Sequence, residues 1–182
     1  MTKYIAILRG INVGGRRKIL MADLKELFSE LGFTDIKTYI QSGNVIFNSK
    51  GKDDDIILGN KIEQSISENY DFEVPVIVRT SNELNEAISK NSFLEKNKVD
   101  IERLHLTFLK EVPETSKLET IKTSDYSPDK FKIIDKNVFV YCSEKYSDSK
   151  LTNNFFESKL KVSATTRNWK TVLKLSELSK SK

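Results

Sequence analysis

The sequence predicts a mixed α+β protein built from two related subdomains, and three observations carry that prediction. Short runs of alternating or continuous Ile, Leu, Val and Phe read as strands. Between them, apolar residues recur at i, i+3, i+4 and i+7, the spacing of a helix with one buried face. The order of these elements over residues 1–80 then begins again after residue 80.

Residues 3–8 read as the first buried strand, followed by a glycine-bearing loop, Gly10-Ile11-Asn12-Val13-Gly14-Gly15. Leu20, Met21, Leu24, Leu27, Phe28 and Leu31 make one apolar helical face, stopped by Gly32. Residues 36–40 and 45–47 are short strands joined through Gln41-Ser42-Gly43-Asn44, where Gly and Asn are expected to supply positive φ. Asp53, Asp54 and Asp55 suit a helix N-terminus, and Ile57, Leu58, Ile62 and Ile66 form the helix that follows. Val74-Pro75-Val76-Ile77-Val78 closes the set as a strand with Pro75 at its start. This β-α-β-β-α-β order is the ferredoxin-like pattern.

The second half repeats it less completely. Thr80 with Glu83 predicts a capping box for a helix through Leu84, Ala87 and Ile88. Leu104, Leu106 and Phe108 alternate as a strand, and an amphipathic piece follows near Leu118 and Ile121. Residues 131–134 and 138–142 form a hairpin turning at Asp135-Lys136-Asn137, and helices around 151–160 and 168–178 finish the chain. No closing strand is evident, so the second subdomain reads as degenerate. The expected division is residues 1–80 and 81–182. The last helix is expected to cover the incomplete sheet through Trp169, Val172, Leu173 and Leu175, and to bring Arg167 towards the 9–18 loop.

Composition bounds the function. Hydrophobic residues at 38% and charged residues at 31% describe a folded chain rather than a disordered one. Cys142 is the single cysteine and His105 the single histidine, which excludes an internal disulfide, a cysteine metal cage and His-pair chemistry. No apolar run reaches the roughly 20 residues that span a bilayer, so a cytoplasmic protein without a membrane partner is expected. The net charge of +4 is uneven: residues 1–50 carry 8 basic and 4 acidic side chains, residues 51–100 carry 6 and 11, and residues 151–182 carry 7 and 2. Solvated faces account for most of this, and a basic partner surface built from the two ends is the other reading.

The strongest local signal is Leu8-Arg9-Gly10-Ile11-Asn12-Val13-Gly14-Gly15-Arg16-Arg17-Lys18. Its glycines let backbone amides approach a ligand, its cations neutralise one, and a helix N-terminus follows. The spacing fits neither a dinucleotide fingerprint nor a Walker loop. An anion site and a plain β-to-α turn both fit it. In a ferredoxin-like unit the first and second strands run parallel, so this loop and the 41–44 hairpin are expected to be neighbours. His105 faces away from Leu104, Leu106 and Phe108 with no evident partner and reads as a structural residue, as does Cys142 at the end of an apolar alternation. Trp169 could stack on a base or serve as core.

Taken together, residues 8–15, 39–47, 74–79, 104–109, 149–153 and 164–175 resemble, in order and over essentially the whole chain, the successive motifs of the bacterial domain-of-unknown-function family 1697. The Leu-Arg-Gly-Ile-Asn-Val-Gly-Gly and Gln-Ser-Gly-Asn motifs are specific to it. The resemblance implies a two-subdomain α+β fold related to the ferredoxin-like one, and no established activity. Its motif residues map to Arg9, Gly10, Asn12, Gly14, Gly15, Gln41, Ser42, Gly43, Asn44, Ser149, Lys150, Arg167, Asn168 and Trp169. Arg16-Arg17-Lys18 is more basic than the usual residues after the double glycine.

The leading expectation is a protein that binds a small phosphorylated ligand or nucleotide. Its site residues are Arg9, Asn12, Gly14, Gly15, Arg16, Gln41, Ser42, Asn44, Lys150 and Arg167, with no metal or cofactor. A nucleic-acid-binding module is the first alternative, although no stretch resembles the aromatic strand motifs of RNA-recognition domains. An enzyme is the second; it would rest on Lys150, Arg9, carboxylates or an oxygen-held metal, with no reaction class singled out.

Overall fold

The computed structural model describes residues 1–51, 53–95, 99–122 and 125–180. Its elements run β1 (Thr2–Leu8), α1 (Met21–Glu30), β2 (Thr34–Tyr39), β3 (Asn44–Ser49), α2 (Asp55–Tyr70), β4 (Val76–Thr80) and α3 (Ser81–Ser89). After short 3-10 turns come β5 (Leu104–Leu109), α4 (Thr115–Lys122), β6 (Lys130–Ile134), β7 (Asn137–Tyr141), α5 (Asn153–Leu160), β8 (Ala164–Asn168) and α6 (Trp169–Lys180). Two compact units result: Met1–Asn85 with the chain from Leu175 onward, and Glu86–Lys174.

In the first unit the strand order is β2-β3-β1-β4, with every neighbouring pair antiparallel. Helices α1 and α2 cover one face, where Tyr4, Ala6, Leu8, Val45, Phe47, Val76 and Val78 meet Leu24, Phe28, Leu58, Ile62 and Ile66. The acidic run does cap α2: Asp54 accepts from the amides of Ile56 and Ile57. The capping box forms as well, since Glu83 accepts from the Thr80 amide at 2.8 Å and Thr80 Oγ1 accepts from the Glu83 amide at 3.1 Å.

The second unit repeats the order as β6-β7-β5-β8, again antiparallel throughout. Its closing strand, expected to be missing, is β8. Ala-Thr-Thr-Arg-Asn has no large apolar residue to betray it, yet it pairs with β5 over residues 105–109. What is reduced in this unit is its helices: α4 and α5 have 8 residues each, against 10 and 16 for α1 and α2. Its core joins Leu109, Val138, Val140, Cys142 and Ala164 to Ile121, Phe156 and Leu160.

The two units also repeat each other bond for bond. The Leu8 amide donates to Gly43 O at 2.8 Å, and the Leu109 amide to Lys136 O at 2.9 Å. Arg9 donates to Pro75 O at 3.0 Å, and Lys110 to Ser163 O at 2.9 Å. A glutamate from the second helix of each unit accepts the first amide of the closing strand: Glu63 from Val76, Glu157 from Ala164. The fourth residue of each closing strand is an arginine, and each folds its guanidinium back onto the preceding carbonyl, Arg79 onto Val78 and Arg167 onto Thr166.

Helix α6 corrects one expected face. Trp169, Val172 and Leu175 are buried as expected, and Ser176 with them, but Leu173 is 40% exposed. Ser176 Oγ donates to Asn85 Oδ1 at 2.7 Å, and Ser179 pairs with Ser81 at 2.8 Å.

Candidate functional site

The loop after β1 and the hairpin after β2 meet, as the parallel sense of these strands requires. Arg9 leaves the sheet with its amide fixed on Pro75, and Gly10 turns the chain at φ +71°. Ile11 then drops into the core and is fully buried. Beyond it, Val13 and Arg16 bridge across Gly14 and Gly15, whose φ angles of +58° and +74° make a type I′ turn. That geometry explains the double glycine, because two consecutive positive φ values are strained for side chains with a Cβ.

Asn12 is the hub of the loop. Its Nδ2 donates to Ile19 O at 2.9 Å and to Gln41 O at 3.0 Å, while its Oδ1 accepts from the Ile19 amide at 3.0 Å. One side chain therefore closes the loop base and fastens it to the hairpin. Gly43 completes the lock. A Cβ there would stand 2.7 Å from Ile11 Cδ1, so the two distinctive motifs are one interlocked structure.

The hairpin differs from expectation in one detail. Positive φ falls on Ile40 and Gly43, and Asn44 is already the first residue of β3. Asn44 is fully buried and donates from Nδ2 to Tyr39 O at 3.1 Å. Asn12 and Asn44 thus hold the backbone together, while Gly14, Gly15, Arg16 and Gln41 are exposed and Arg9 and Ser42 partly so. Arg16, Arg17 and Lys18 form no ion pair among the described residues. The Gly14 and Gly15 amides face no protein acceptor there either.

Lys150 and Arg167 belong to the second unit. Lys150 is exposed and lines a cleft of about 500 Å³ with Asp125, Tyr126, Asp129, Asp148 and Ser149. Burial lowers the Arg167 guanidinium to about 10, which still leaves it charged at neutral pH. The anchor of this cleft, Asp129, had no signal in the sequence. It accepts from Ser149 Oγ at 2.6 Å, from the Ser143 amide at 2.8 Å and from Ser143 Oγ at 3.0 Å. Burial alone would raise its carboxyl; these bonds outweigh it and hold the carboxyl below the usual range.

His105 has partners that the sequence did not reveal. Its ring stacks on Tyr146 with centroids 4.5 Å apart, and Nδ1 lies 4.0 Å from Cys142 Sγ. Burial pushes the imidazole down and the thiol up, so both groups are held neutral. A nucleophilic cysteine needs the opposite shifts, so this pair is packing. No helix among the described residues is long and apolar enough to cross a membrane, and no cluster of acidic, His or Cys side chains there could hold a metal ion.

Fold and loop together define a two-unit α+β protein related to the ferredoxin-like class. The chain belongs to DUF1697, a family of proteins of unknown function, whose model matches residues 1–139. It is similar in structure to the conserved bacterial protein SP0830 of Streptococcus pneumoniae, with a TM-score of 0.76, 24% sequence identity, and coverage of 98% of this chain and 99% of that one. At that identity the likeness shows the fold alone. None of the curated proteins matches the chain.

Proposed function

We propose that the 9–18 loop and the 41–44 hairpin form a binding site for a phosphate-bearing ligand. The observation that carries this reading is the internal comparison of the two units. The connection from first strand to first helix takes five residues in the second unit, 110–114, and twelve in the first, 9–20. The fold closes the shorter one with the same backbone bonds, so the architecture does not require the added length. Long, ordered connections of this kind characteristically carry function. The added residues here are the glycine turn and three cations without carboxylate partners among the described residues, a composition suited to an anion.

In this reading Arg16, Arg17 and Lys18 supply charge, Gly14 and Gly15 supply amides, and Arg9, Gln41 and Ser42 line the base. Asn12 and Asn44 keep the loop and hairpin in register. Lys150 and Arg167 hold motif positions in the second unit and form no part of this site. A thermal-shift series with inorganic phosphate, pyrophosphate and nucleotides tests it. At least one of these should raise Tm at millimolar concentration, and the increase should vanish in Arg16→Ala/Arg17→Ala and in Arg9→Ala. No anion-dependent shift, or a shift that survives those substitutions, contradicts the reading.

A further inference from the structure

The cationic loop also presents apolar side chains that a site for a fully water-soluble anion does not need. Asn12 binds three segments together, and the residue next to each point of attachment is an exposed branched aliphatic. Val13 follows Asn12 itself, Leu20 follows Ile19, and Ile40 precedes Gln41. Their exposures are 61%, 69% and 46%. Val13 sits at the foot of the I′ turn, and residues 13–18 are all exposed to solvent.

From this juxtaposition we infer that the loop docks on a membrane surface carrying anionic phospholipid headgroups, with Val13, Leu20 and Ile40 entering the headgroup boundary. The inference rests on the phosphate-binding reading and names the source of the phosphate. Charge complementarity selects the occupant. Arg16, Arg17 and Lys18 adjoin the aliphatic residues, and no carboxylate occurs in residues 9–22 or 36–48. The acidic residues that the topology brings to this end, Asp23, Asp71 and Glu73, form no ion pair with those three cations. Branched aliphatics do not stack on bases, which disfavours single-stranded nucleic acid, whereas aliphatic residues beside cations suit a lipid interface. Such contact needs no spanning segment.

Sedimentation with lipid vesicles tests the inference. The protein should bind phosphatidylcholine vesicles containing about one third phosphatidylglycerol and not phosphatidylcholine alone, because each cation near an anionic surface adds attraction. Binding should fall more than tenfold in Arg16→Glu/Arg17→Glu, and about tenfold in Val13→Ser/Leu20→Ser. Leu20 is the N-cap of α1 without a side-chain bond, and Ser is a preferred N-cap, so the second variant should keep its fold, with Tm as the check. If phosphate raises Tm but anionic vesicles are not bound, the lipid inference fails and the phosphate reading stands. If neither is seen, both fail. Vesicle binding that ignores Val13→Ser/Leu20→Ser is purely electrostatic and overturns the proposed insertion.

Discussion

A methyl group added at Gly43 would stand 2.7 Å from Ile11 Cδ1 and 2.8 Å from Leu8 Cβ, on a backbone held at φ +85°. Both penalties act together, so Gly43→Ala should destabilise the protein by about 3 kcal/mol, read from urea unfolding. A loss under about 0.5 kcal/mol would mean that loop and hairpin are not interlocked. His105 gives a test in pH. Burial, partly offset by a backbone hydrogen bond with Arg103, holds its imidazole below the ordinary value. The unfolded chain therefore takes up the proton first. The stability contribution is complete above about pH 6.5 and declines as pH falls from there through the lowered folded value. Tm should drop between about pH 7 and pH 5.5, and the slope should flatten in His105→Gln. An equal slope in both proteins would remove the assignment. The sequence showed Gly43 and Asn12 as motif letters. Their roles were hidden because the partners, Ile11 and the carbonyls of Ile19 and Gln41, are tertiary contacts.

Helices and strands were legible where hydrophobic period or capping chemistry marked them. The α2 cap at Asp54 and the Thr80–Glu83 box are local devices, and both form as read. Strand β8 was missed because its residues are Ala, Thr, Thr, Arg and Asn, leaving only the β-branched threonines as a signal. In α6 the expected face holds except at Leu173. Trp169, Val172 and Leu175 fix the buried face, on which Ser176 bonds to Asn85, and Leu173 lies outside it. Trp169→Ala should therefore cost about 3–5 kcal/mol, and Leu173→Ala less than about 0.5 kcal/mol. Equal costs in thermal or urea unfolding would contradict the observed face. At the start of α1, Leu20→Ser should stabilise the protein by about 0.5–1 kcal/mol by giving the helix an N-cap it lacks. An unchanged midpoint would show that water already satisfies that end.

On the scale of the whole chain, the sequence disclosed a repeated element order but not how closely the halves correspond. Two of the four matched pairs of bonds, Leu8–Gly43 with Leu109–Lys136 and Arg9–Pro75 with Lys110–Ser163, run between backbone atoms, and backbone bonds leave no residue signature. Only once the two sheets are aligned does the 9–20 connection stand out against 110–114 as an elaboration of a simpler turn. The central claim is that this elaboration binds phosphate, and amide chemical shifts test it most directly. In an ¹⁵N-labelled sample titrated with pyrophosphate, the resonances of Gly14, Gly15, Arg16, Arg17 and Lys18 should move saturably, while those of Lys110, Glu111, Val112 and Glu114 stay fixed. Shifts of similar size in both connections, or none in Gly14–Lys18, would contradict it.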